Sequence, residues 1–137
     1  MDKENNNFKK RIREEMLANH SNALERNFDL AKKFIKITEE GKVEVANKEK
    51  IGGKEQVLLY LIGKLYAKEA QLTKTACVVN NELTEELGVL DTSLRPWLKG
   101  LRDKNKIKQS KLDKYICHSI PMNLVEKTLK EIDKKIN

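Results

Sequence analysis

A chain of 137 residues can bury one modest core with an extension, and 39% apolar with 36% charged residues matches neither a membrane protein nor a disordered one. Its net charge of +7 is unevenly placed: residues 88–118 hold 8 Lys/Arg against 3 Asp/Glu, whereas residues 51–87 hold 4 against 5. Such a local surplus favours a polyanionic partner.

The longest uncharged apolar run, "VLLYLI" at 57–62, is far too short for a membrane span. The polar start "MDKENNNFKKRIREEM" lacks the apolar centre of a signal peptide. Cys77 and Cys117 are 40 residues apart and fit no disulfide framework, so a reducing cytoplasm is the expected setting.

In chain order, residues 8–38 read as helical. Phe8, Ile12 and Met16 recur every four residues, "NHSN" at 19–22 interrupts, and Leu24, Phe28, Ala31 and Ile35 resume the stripe. Two heptads do not establish a coiled coil, so this face either packs on its own domain or pairs two subunits. Residues 34–46 fit either a hairpin or a helix followed by a lone strand, and the continuous stripe into Ile35 favours the latter. Gly52 and Gly53 then mark a hinge, dividing an N-terminal helical extension (1–50) from a compact domain (54–137).

The compact domain opens with a buried helix carrying Val57, Leu58, Leu61, Ile62 and Leu65. Gly63 within it implies close approach by another element. After the β-prone "ACVV", Asn80 or Asn81 is positioned to cap a short helix with Leu83 and Leu87 one turn apart, and Gly88 stops it. A six-residue turn-and-cap segment leads to a second helix with Leu94, Leu98 and Leu101 on its buried face and Trp97 at the border. Arg95, Lys99 and Arg102 share a different face. A proline deep in a helix costs about 3 kcal/mol, so Pro96 argues for a start near Ser93. That start leaves Thr92 and Ser93 at a helix end that favours anions. "IKQSKLDKYICHS" reads as a hairpin around "SKLD". Val125, Leu129, Ile132 and Ile136 then form a closing helix, with Asn123 as its cap.

The stretch "VVNNELTEELGVLDTSLRPWLKGLRDKNKIKQSKLDKYICHS" resembles the winged helix-turn-helix domains of archaeal and bacterial transcriptional regulators. The resemblance implies a mainly α fold with a small β-hairpin wing, here carrying an N-terminal helical extension. It also implies a double-stranded DNA partner, a homodimer and a role in transcription regulation. Carried over by position, Arg95 and Lys99 enter the major groove, with Thr92, Ser93 and Arg102 on the same helix. Lys106, Lys108, Lys111 and Lys114 meet the backbone from the wing and its approach. Winged domains also serve as protein–protein modules, which makes a non-catalytic adaptor using the N-terminal helix the alternative.

No enzyme is expected. His20, Cys77, Cys117 and His118 are too scattered for a metal site, and no phosphate-cradling glycine signature occurs. Cys117 reads as a buried thiol beside a surface histidine, His118. No cofactor and no small-molecule ligand are expected.

Overall fold

Helix α4 (Gly53–Glu69) carries eight consecutive buried residues, 57–64, and is covered on every side over that span because the other elements pack around it. The computed structural model describes residues 2–16 and 22–136. Before α4 come α1 (Asp2–Glu15), the single turns α2 (Ala23–Arg26) and α3 (Phe28–Ala31), and strands β1 (Ile35–Ile37) and β2 (Val43–Val45). After it come β3 (Val78–Val79), α5 (Asn80–Leu87), α6 (Asp91–Asp103), β4 (Lys108–Leu112), β5 (Tyr115–Ser119) and α7 (Val125–Ile136). The fold is therefore mixed, with helix predominating over two small antiparallel sheets ordered β1-β2 and β3-β5-β4. No helix among the described residues is long and apolar enough to cross a membrane.

The region before α4 departs from the expected helix and lone strand. Helix stops at Ala31, and β1 and β2 form a hairpin with Ile35 opposite Val45 and Ile37 opposite Val43. Burial decides this: Ile35, Val43 and Val45 turn inward, while Lys36 and Glu44, also paired, turn out. A continuous helix would have lost that alternation. A Cβ at Gly63 would sit 2.5 Å from Val43 Cγ1, so the glycine lets the hairpin lie directly on α4. Asn27 breaks the helical run, its buried amide donating to the Ala23 carbonyl at 2.8 Å. Most of the 19–22 interruption, with His20, lies outside the described residues.

Leu24, Ala31, Phe34 and Val43 belong to the same apolar cluster as Leu83, Leu98 and Leu129. The Tyr66 hydroxyl adds a bond to the Leu24 carbonyl at 2.6 Å. From Ala23 onward the N-terminal part is thus core. Helix α1 and Met16 just after it differ, with Phe8 63%, Ile12 39% and Met16 78% exposed.

Where the hairpin meets α4 and α5, Lys64 is buried, donating to the Gly41 carbonyl at 2.9 Å and pairing with Glu82 at 3.1 Å. Glu82 also accepts the Tyr60 hydroxyl at 2.5 Å and faces Lys42 at 3.8 Å. Burial first, and the Glu82 carboxylate second, push the Tyr60 phenol far above its ordinary value.

Around the helix pair several boundaries shift from expectation. Helix α5 begins at Asn80 with Val79 before it, so neither Asn80 nor Asn81 is its cap. Gly88 ends α5 in the left-handed region, φ 67°, as expected. Only Gly88–Leu90 separate α5 from α6, because α6 starts at Asp91 rather than near Ser93. The Ser93 and Leu94 N–H groups both reach the Leu90 carbonyl at 3.0 Å. Pro96 consequently lies in the second turn and leaves the Thr92 carbonyl without its intrahelical donor. Exposed Thr92 can give that carbonyl to water, and burial of Leu94, Leu98 and Leu101 at about 1.5–3 kcal/mol each outweighs the lost bond. Trp97 packs over Gly53, where a side chain would collide with its ring.

The β4–β5 hairpin is present, but it turns at Asp113–Lys114 rather than around "SKLD". Asp113 takes φ 56°, a conformation aspartate tolerates without glycine. Asn123 lies in a 3-10 turn, Met122–Leu124, and does not cap α7. Cys77 and Cys117 are joined in a disulfide with Cα atoms 5.4 Å apart. Pairing of β3 with β5 sets Cys77, one residue before β3, diagonal to Cys117, a relation that a separation of 40 residues does not display. The free-thiol premise behind a reducing compartment therefore does not hold.

Candidate functional site

Helix α6 turns its leucines into the core, which commits the residues between them to the other side. Arg95, Lys99 and Arg102, four and three positions apart, face the β4–β5 hairpin across an open groove of about 890 Å³. The hairpin contributes Gln109, Lys114, Tyr115 and Ile116, and the first turn of α5 contributes Asn80 and Asn81. Four cations line this groove, and none of its lining residues is acidic. Arg95 is highly exposed and holds Asp91 at 2.6 Å, a surface pair of small net worth that a phosphate could displace.

Of the nine residues expected at a site, Arg95, Lys99, Arg102 and Lys114 come together here. Lys111, opposite Ile116, shares the strand face of Gln109 and stands near the same opening. Lys108 alternates to the other face of β4. Thr92 is exposed and Ser93 half-buried at the start of α6, both outside the groove lining. Lys106 lies in a separate depression with Lys54, Lys104 and Lys135, between α6, α4 and α7. Because Lys104 is nine positions from Arg95, this depression opens on the far side of α6.

Asn80, Asn81, Gln109 and Tyr115 escape a reading based on charge. The alternation of Gln109 with Lys111 along β4 is a signal that the hairpin pattern alone could have supplied.

His118 was expected at the surface and instead is 2% exposed, at the groove floor. Its Nε2 lies 2.8 Å from Asn80 Oδ1. An amide oxygen only accepts, so Nε2–H donates, leaving Nδ1 a bare acceptor that is buried without a partner among the described residues. Burial, then the nearby Arg102 charge, lowers the imidazole to about 4. The folded state resists a proton that the unfolded chain accepts near pH 6.5. Stability from this residue is therefore full above that value and is lost as pH falls toward 4. His118→Gln should flatten the dependence of the urea midpoint on pH between 6.5 and 4; an unchanged slope would refute the assignment.

Comparison with protein-family models, with characterised proteins and with solved structures returned no match for this chain.

Proposed function

We propose that the chain is a double-stranded DNA-binding protein of winged helix-turn-helix design and a regulator of transcription. In this reading α6 is the recognition helix and β4–β5 the wing. The observation that carries it is the groove in which Arg95, Lys99, Arg102 and Lys114 converge with no acid among the lining residues. Arginine and lysine on α6 reach base edges and phosphates, while Lys111 and Lys114 hold the backbone from the wing. Asn80 and Asn81, at the start of α5, add donors beside the same path. Thr92 and Ser93 remain candidate phosphate contacts at the exposed end of α6. Lys106 and Lys108 are poorly placed for this groove.

Titration of fluorescent duplexes over a salt series tests the proposal. Affinity should fall steeply as salt rises, because each neutralised phosphate releases counterions. Arg95→Ala should cost about 1–3 kcal/mol and relax sequence preference. Lys111→Ala should weaken all duplexes alike and reduce the salt slope by about 1. Absence of binding at low salt would end the proposal.

Pairing of two copies through α1 belongs to the same reading, supported by exposed Phe8, Ile12 and Met16. The same apolar side favours the second reading, an adaptor that recruits another protein. Removing residues 1–16 spares the core that begins at Ala23, whereas removing residues 1–50 would open it. The 1–16 deletion should convert a dimer to a monomer by light scattering; an unchanged mass would remove α1 as the pairing element.

A further inference from the structure

We propose that the Cys77–Cys117 disulfide is a redox control on the groove, holding the β4–β5 hairpin at the distance from α6 that ligand binding requires. This rests on the groove being the binding surface. The closed loop runs from Cys77 to Cys117 and contains β3, α5, α6 and β4, so it encloses every groove-lining residue except His118.

The hairpin has few other moorings. Among the described residues, strand β4 pairs only with β5, and β5 meets the body through two ladder positions, Val78 with His118 and Val79 with Cys117. The His118–Asn80 bond is the remaining polar tie beside them. Gln109, Lys114 and Tyr115 therefore keep their places across from Arg95 and Arg102 only as firmly as β5 is held. With the disulfide closed, that hold is covalent. With it open, two ladder pairs, one hydrogen bond and the core packing of Ile107 and Ile120 at its base carry the hairpin.

Access to the two sulfurs is unequal, Cys77 being half-buried and Cys117 buried. A thiolate of a dithiol reductant attacks Cys77 Sγ, breaking the Sγ–Sγ bond and releasing Cys117 as a thiolate that takes up a proton. The second thiol of the reductant, losing its proton, attacks its own sulfur in the mixed disulfide and expels the Cys77 thiolate, which is protonated in turn. Two electrons pass to the protein, and the reductant departs as its disulfide.

The test compares the full chain, oxidised and then treated with dithiothreitol, with thiols counted and the fold checked by circular dichroism. Fluorescent duplex is titrated in each state, and amide hydrogen exchange is followed across residues 108–119 without DNA. The oxidised chain should bind on the order of tenfold more tightly, within the usual range for coupled sites. Exchange in the hairpin should speed up on reduction while α4 remains protected. A Cys77→Ser, Cys117→Ser chain should behave as the reduced form under both conditions.

Equal affinity in both states, or hairpin exchange unchanged by reduction, overturns the proposal, as does a chain whose two thiols stay free under oxidation. No duplex binding in either state, with hairpin exchange still faster on reduction, would remove the DNA reading and leave the redox coupling of the hairpin standing. If the double variant does not fold, the reduced natural chain alone decides the outcome.

Discussion

Glu82→Gln should lower folding stability by about 3 kcal/mol, read as a shift of the urea midpoint at unchanged slope. The reason is Lys64, 5% exposed, whose ammonium has the Glu82 carboxylate at 3.1 Å as its only counter-charge in the described structure. Glutamine keeps much of the shape but removes that charge, leaving a buried cation with only neutral acceptors, the Gly41 carbonyl and the new amide. The Tyr60 hydroxyl, at 2.5 Å from the same carboxylate, keeps only a weaker neutral acceptor. Replacing both Lys64 and Glu82 by methionine should recover a large part of the loss, since a buried pair removed whole costs less than one broken in half. A shift below about 0.5 kcal/mol for the single change would mean that water already screens the Lys64 charge.

Reduction of the disulfide should have an effect of similar size. Closing a loop with a separation of 40 residues removes about 4 kcal/mol of unfolded-chain entropy at 25 °C. For a domain of this length that corresponds to a melting temperature lower by about 12 °C, measurable by calorimetry with and without reductant. Coincident transitions in the two states would show that the cross-link does not constrain the unfolded chain. The global loss and the local loosening of the hairpin are separable, because the first appears in the melting temperature and the second in native-state exchange.

The elements most legible in the sequence are those whose own periodicity fixes them. Leu94, Leu98 and Leu101 place α6, Val125, Leu129 and Ile132 place α7, and β4–β5 forms where β-prone runs flank a polar turn. The basic face of α6 follows from the same spacing, which alone groups Arg95, Lys99 and Arg102. Residues 34–46 are harder, because a stripe that suits one helix face also suits a hairpin until contact with Gly63 selects the strand. Pro96 misleads on the start of α6 because local cost is only one side of the balance. The leucine face and the Leu90 carbonyl's two donors extend the helix across it. The surface position expected for His118 and the free thiol expected for Cys117 fail for a shared reason, although the expected burial of Cys117 is found. Their burial and bonding come from β3, Asn80 and Cys77, partners nearly 40 residues away that strand pairing alone brings near.

The groove between α6 and the β4–β5 hairpin is proposed to receive duplex DNA. Backbone and side-chain nuclear magnetic resonance shifts, followed while a short duplex is added at low salt, test it most directly. Shifts should concentrate at Asn80, Asn81, Arg95, Lys99, Arg102, Gln109 and Lys111–Tyr115, with little change at Lys54, Lys104 and Lys106 on the far side of α6. Shifts centred on that far depression, or none at a duplex concentration of about 1 mM, where even non-specific contacts saturate, would contradict it.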